Sequence, residues 1–224
     1  VASNEGLLHA FRNKDGSEAF AYLVPDALPG LYKLWQRGGQ DADPAQFNWI
    51  LASSPRVEDV PSSDTFGWST HLVLAMGPGG EEFVSLDITA PSHCYATGCT
   101  IKVAPFTVVA HSRDLQMSSV LGETWSVPAL FYAYSAGVST PTGQMAMGSG
   151  YGQGSEGHHY NFFSQLYTAP GSTQHNSSGS EQEFALIGSN TAAVDMEDRR
   201  DIIATYVGDP AGRIVRYDQG DNAN

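Results

Sequence analysis

Apolar positions in this chain fall in short strand-like runs broken by glycine-rich turns, and one such arrangement recurs. It is clearest at Leu72–Thr89, LVLAMGPGGEEFVSLDIT, where a run of small and apolar residues enters a turn and a second run ends in an Asp. It returns at Ile203–Asp218, IATYVGDPAGRIVRYD. A looser copy opens the chain at Val1–Arg12, VASNEGLLHAFR, and another lies at Met145–Tyr167, MAMGSGYGQGSEGHHYNFFSQLY. Each copy puts Gly, or Asn-Glu-Gly, where a tight turn needs positive φ between two strands. Hairpins repeated at wide spacing predict an array of antiparallel sheets rather than one compact sandwich.

The segments between the hairpins keep this character, with one exception. AFAYLVP, ending at Pro25, reads as a strand, and Pro25–Trp35, PDALPGLYKLW, switches to helical spacing with Leu28, Leu31 and Leu34. Phe47–Val60 returns to strand character, Ser62–Gly67 is a turn, and Trp68–Leu74 alternates before the central hairpin. Val103–Val109 is a strand interrupted by Pro105, hence an edge, because proline cannot donate to a ladder on both sides. Thr168–Ser180, TAPGSTQHNSSGS, reads as a surface loop. Glu183–Gly188 and Ile202–Val207 read as strands around the acidic turn Asp195–Asp201. The fold class is all-β with a short helical insertion.

Composition narrows the function classes. The chain has 224 residues, of which 41% are hydrophobic, enough to bury a core as a single domain. The formal net charge is −13, with 11 Lys and Arg, so nucleic acid and anionic membrane are poor partners for want of cations to displace counterions. No apolar run reaches the length of a membrane-spanning helix. Val1 falls inside a strand-like run and the chain closes on the polar DQGDNAN, which suggests a segment of a longer chain.

Candidate chemistry is sparse. Cys94 and Cys99, in HCYATGC, can close a small disulfide loop, with two free thiols as the alternative; one His and no second Cys pair make a metal site the weaker reading. His158 and His159 with Glu156 and Tyr160 hint at a metal, but neighbouring residues on a strand point to opposite faces. Ser53, Ser54, His71 and Asp87 assemble into a hydrolase triad on paper, without the Gly-x-Ser-x-Gly elbow that would frame a nucleophile. Trp35, Trp49, Trp68 and Trp125 are expected in the core or between sheets rather than as a sugar platform. Asp87 and Asp218 close their hairpins alike, a position that caps a turn through its side chain.

Taken in order, VASNEGLLHAF, FAYLVP with LPGLYKL, ASSPRVEDV, GWSTHLVLAMGPGGEEFVSLDIT, LGETWSVPAL with MAMGSGYG, and VDMEDRRDIIATYVGDPAGRIVRYD resemble the C-terminal propeller of the PilY/PilC-type proteins of type IV pili. The ordered set, from Val1 to about Asp218, carries the resemblance; no single Gly-rich hairpin does. It implies a partial or modified β-propeller of antiparallel four-stranded blades, with turns near Gly77, Gly148–Gly150 and Gly208. It further implies a non-enzymatic protein of the pilus tip or cell surface, in transit through the periplasm, acting in adhesion and pilus assembly. Its partners would be minor pilins or other tip components and a host or surface ligand.

Members of that family bind calcium in an Asp-x-Asx-x-Asp-Gly-x-x-Asp loop before a strand. Aligned on IIATYVGD, this chain offers Asp195, Glu197 and Asp201, but Ala193 stands at the first ligand position and Asp198 at the Gly. Calcium takes six to eight oxygens and uses the Gly for a sharp turn, so weak binding is expected if calcium acts at all. The alternative is an acidic turn paired with Arg199 and Arg200. Quinone-dependent propeller dehydrogenases share Gly-rich turns and a closing Asp, but pair adjacent cysteines, unlike Cys94 and Cys99. A structural segment of an extracellular filament is the third reading.

The extracellular setting that the resemblance implies favours the Cys94–Cys99 disulfide. A loop this short removes little chain entropy, so the bond would shape its turn more than stabilise the fold. Peptide mapping of native, alkylated protein should recover the two cysteines as one linked fragment; two alkylated thiols would contradict it.

Overall fold

A computed structural model of the chain describes residues 1–36, 49–61, 68–89, 106–112, 121–133, 142–148, 160–164, 192–195, 202–208 and 214–218. The described residues are mostly antiparallel strand, with one short helix. β1 (Leu7–Phe11) pairs with β2 (Glu18–Leu23) in a first sheet. A 3₁₀ turn at Pro25–Ala27 then leads into α1 (Leu28–Gln36), as the change of spacing predicts. The second sheet is a meander of β3 (Arg56–Pro61), β4 (Trp68–Ala75), β5 (Phe83–Asp87) and β6 (Thr107–His111). β7 (Ala129–Ala133), β8 (Thr142–Gly148) and β9 (Tyr160–Ser164) form the third, and β10 (Ala192–Asp195), β11 (Ile202–Gly208) and β12 (Ile214–Asp218) the fourth.

All four predicted hairpins form. The central one is β4–β5, and β8–β9 and β11–β12 are two more. The opening copy turns at Ser3–Gly6 but continues on its first arm only as a single bridge from Ala2 to Leu8. Gly6, Gly16 and Gly77 take the positive φ that their turns demand. β6 lies at the edge of its sheet, as expected, but runs over Thr107–His111; the Val103–Pro105 part of the expected strand lies outside the described residues. Phe47–Val60 is less regular than its composition suggests: the strand starts only at Arg56, past Pro55, while Glu183–Gly188 falls outside the described residues.

The β4–β5 pair is buried on both faces. Leu72, Leu74 and Met76, with Val84 and Leu86, pack against Leu8, Val24, Ala27, Ile50 and Leu51, and against Leu31 and Leu34 of α1. Val73, Ala75 and Phe83 face the other way, onto Leu121, Leu130, Met145 and Met147. This explains why LVLAM and FVSLD read as near-continuous apolar runs; a strand covered on both sides has no polar face to alternate with. Covering layers come from the first sheet and α1 on one side and from the third sheet on the other, where β3 also meets β7 and β8. The third sheet in turn meets the fourth, through contacts of β7 with β10 and β11.

The β4–β5 turn is pinned from two directions. Thr124, fully buried, accepts the Met76 N–H on its hydroxyl at 3.0 Å, and its Oγ1 lies 3.2 and 3.1 Å from the Gly80 and Glu82 carbonyls. On the other side, a Cβ at Gly79 would sit 2.3 Å from the Ile50 carbonyl oxygen, so the turn backbone rests directly on segment 49–55. That segment is fixed in turn by the Ala52 N–H on Met76 O at 3.1 Å and the Ile50 N–H on Asn4 Oδ1 at 2.7 Å. His111 of β6 faces the 3₁₀ turn, with its Nδ1 3.4 Å from Asp26 Oδ2 but no hydrogen bond between the two atoms.

Thr124→Val keeps the shape and removes the hydroxyl, and should cost about 1–2 kcal/mol. Gly79→Ala should cost about 2–3 kcal/mol, because the methyl must push segment 49–55 aside. Gly16 has open space around its Cβ position, so Gly16→Ala pays only for its φ of 72°, about 1 kcal/mol. Urea unfolding should show Gly79→Ala as the most destabilised, Thr124→Val next and Gly16→Ala least.

Candidate functional site

The residues that sequence reasoning grouped for chemistry do not converge. His71 on β4 lies directly across from Asp87 on β5, and across from Glu58 on β3. Ser53 lies at the other end of β4, where its backbone nitrogen would be 3.2 Å from a Cβ at Gly77. Six residues of strand separate His71 from Gly77, about 20 Å at 3.3 Å per residue. The hydrolase triad is therefore not assembled. Asp87 does what its position suggests: its Oδ1 accepts the Thr89 N–H at 2.9 Å and the Thr89 hydroxyl at 2.5 Å, while the Thr89 Oγ1 accepts the Thr70 N–H.

His71 is nonetheless unusual. It is 1% exposed, on the face that carries Val73, Ala75 and Phe83 and that turns polar toward Ser69, Ser85 and Asp87. Burial pushes the imidazole pKa below its ordinary value, and the Asp87 carboxylate pulls it partly back. On the adjacent strand, Glu58 is held by the Arg56 guanidinium at 3.2 Å.

The other predicted site residues are placed only in part. Asp195 is the last residue of β10, just past a register shift against β11. Its expected companions Glu197 and Asp201 lie outside the described residues, as do Cys94, Cys99, His158 and His159. Among the described residues, no group of three or more His, Cys, Asp or Glu side chains could hold a metal ion. No described helix is long and apolar enough to cross a membrane.

The tryptophans correct the expectation of core packing. Trp35, Trp49, Trp68 and Trp125 are 74%, 50%, 45% and 42% exposed. The central cores are filled instead by Leu, Val, Met and Phe83 from β4 and β5, which leaves the indoles at element ends and on the outer side of α1. Two of them share a concavity. A cleft of about 240 Å³ opens at the β4–β5 turn, walled by Trp49, Pro78, Trp125 and Val127, with Ser53 and Ser54 also lining it. The Trp125 indole N–H donates to Glu123 Oε2 at 2.8 Å. The Ser53 Oγ is buried and meets no hydrogen-bond partner among the described residues. No spacing rule in the sequence joins residues 49–54, 77–78 and 125–127; the pinned turn brings them together.

Comparison with known proteins agrees with the resemblance seen in the sequence. No family model matches the chain. It is 28% identical over 156 residues to the type IV pilus biogenesis factor PilY1 of Pseudomonas aeruginosa strain UCBPP-PA14, covering 70% of this chain and 11% of that protein. It is 31% identical over 93 residues to the PilY1 homolog of Xylella fastidiosa strain Temecula1, covering 42% of this chain and 7% of that one. The chain thus spans about a tenth or less of the length of these relatives. The crystal structure of the P. aeruginosa PilY1 C-terminal domain matches 97% of this chain and 37% of its own, with TM-score 0.62 and 20% identity. The chain is similar in sequence to PilY1 proteins and has the fold of part of the PilY1 C-terminal domain.

His71 should make stability depend on pH. Its folded pKa lies below the unfolded value of about 6.5, so the unfolded chain binds the proton more readily. Stability from this group is complete above that unfolded pKa and is lost as pH falls below it, at up to about 1.4 kcal/mol per pH unit. Urea unfolding between pH 7.5 and 5 should show a shallower loss for His71→Gln than for the native chain. Equal slopes would mean that the imidazole titrates alike in both states.

Proposed function

We propose that this chain is one propeller-like domain of a longer, non-enzymatic type IV pilus-associated protein, acting at the pilus tip in adhesion and pilus assembly. The observation that carries this reading is the agreement of two comparisons: sequence similarity to PilY1 proteins over 70% of the chain and structural similarity to the PilY1 C-terminal domain over 97% of it. The separation of Ser53 from His71 and Asp87 also supports a binding role over a hydrolytic one. The sheets are read as blades of a partial or modified propeller. The four-stranded β3–β6 meander, covered on both faces by neighbouring sheets, supports that geometry.

In this reading the protein works at the cell surface or pilus tip after passing through the periplasm, with minor pilins or other tip components and a host or surface ligand as partners. Cys94 and Cys99 form a disulfide there. Asp195, Glu197 and Asp201 supply hard oxygen donors suited to calcium but fewer than its usual six to eight, so the site would be weak.

Deleting the parent gene should reduce the number of surface pili and of cells attached to a surface, and complementation should restore both. Unchanged piliation and attachment, together with hydrolase or oxidoreductase turnover by the purified protein, would overturn the reading.

A further inference from the structure

The cleft at the β4–β5 turn is built unlike the rest of the surface. Trp35 stands on α1 beside Tyr32, with ring centroids 5.9 Å apart, and Trp68 begins β4; neither lines the cleft. Trp49 and Trp125 do line it, half-exposed, on supports that are themselves fixed. Trp49 is followed by Ile50, which is 1% exposed and hydrogen-bonded to Asn4. Trp125 follows Thr124, the buried residue that pins the turn, and its indole is held by Glu123. Two large apolar rings kept in water on a rigid frame are costly for the free protein and pre-organised for a ligand.

The polar groups narrow the ligand. Among the described residues the cleft lining contains no Lys or Arg, and the chain carries a net charge of −13, so an anionic ligand is disfavoured. Grooves that take proline-rich peptides use aromatic walls, with indole N–H groups able to reach peptide carbonyls; here the Trp125 N–H is already donated to Glu123. What remains are aromatic faces, the apolar edges of Pro78 and Val127, and the hydroxyls of Ser53 and Ser54, of which the Ser53 Oγ is buried without a described partner. A ring with one C–H face and a rim of O–H groups matches that set. At about 240 Å³ the cleft is smaller than the roughly 300–1,000 Å³ typical of drug-sized ligands, so it suits a terminal ring rather than a long chain.

We propose that the Trp49–Trp125 cleft binds the terminal ring of a neutral saccharide, stacked on an indole face with a hydroxyl at the exposed Ser54. This rests on the adhesion reading for its biological setting and gives it a ligand class. The test is saturation-transfer NMR and intrinsic tryptophan fluorescence on the full-length protein, titrated with methyl glycosides of glucose, galactose and N-acetylglucosamine. At least one glycoside should bind, and Trp49→Ala and Trp125→Ala should each raise its Kd tenfold or more. Trp35→Ala, outside the cleft, should leave the Kd unchanged, and Trp125→Phe should keep part of the affinity if stacking is the cause. Circular dichroism would establish that each variant is folded. Failure of every glycoside to bind, an equal loss in Trp35→Ala, or binding of a proline-rich peptide in place of the glycosides would overturn the proposal. In cells, the Trp49→Ala/Trp125→Ala protein should support normal piliation while losing attachment to a surface coated with the bound glycoside. Normal piliation with undiminished attachment would overturn the saccharide site and leave the pilus reading standing.

Discussion

A strand pair with two apolar faces cannot stand alone in water, and the placing of the first sheet, α1 and the third sheet follows from covering β4 and β5. Full burial of a Leu, Val, Met or Phe side chain contributes about 1.5–3 kcal/mol, against a net stability of about 5–15 kcal/mol for a whole domain. Leu72, Leu74, Val84 and Leu86 on one face and Val73, Ala75 and Phe83 on the other therefore demand a layer on each side. The first sheet with α1 supplies one, and the third sheet supplies the other. Stacking sheets face to face in sequence, rather than closing two sheets on a single core, is the consequence.

The same constraint places the cleft. Once both faces of β4–β5 are buried, the turn beyond Ala75 must be accommodated between its two neighbours, and it is held there by backbone approach and by one hydroxyl. Gly79 lets the turn rest on Ile50, and Thr124 bonds the turn from the opposite side. Trp49 and Trp125 are next to those two anchors in the chain, so fixing the anchors also brings both indoles to one cleft. Structural rigidity and a preformed concavity thus have one origin, which accords with a module whose sheets hold and whose loops recognise.

Polarity is distributed by the same layering. The face of β4–β5 that is apolar near the turn becomes polar at its far end, where His71 lies between Glu58 and Asp87. Placing an imidazole in a buried row is tolerated because it can remain neutral, and it is the one described histidine whose pKa burial shifts clearly downward.

Local chemistry was legible in the sequence wherever a short segment decides its own conformation. The turns at Gly6 and Gly77 could be read because a tight turn needs a positive φ that glycine provides. The helix after Pro25 was legible because its apolar spacing changes from that of a strand to that of a helix. The ordered segments also pointed to the PilY1-like fold. Tertiary structure decided what lies on each face. The alternation expected for Trp68–Leu74 gives way to burial on both sides, since the sequence cannot say how many layers cover a strand. The tryptophans moved outward because smaller side chains already fill the cores at the density that packing requires. Ser53, His71 and Asp87, plausible together on paper, are separated because strand length sets distance and no local pattern encodes it. The Trp49–Trp125 cleft is the converse: residues far apart in the chain meet because the buried turn at Gly77–Gly79 brings their segments to one point.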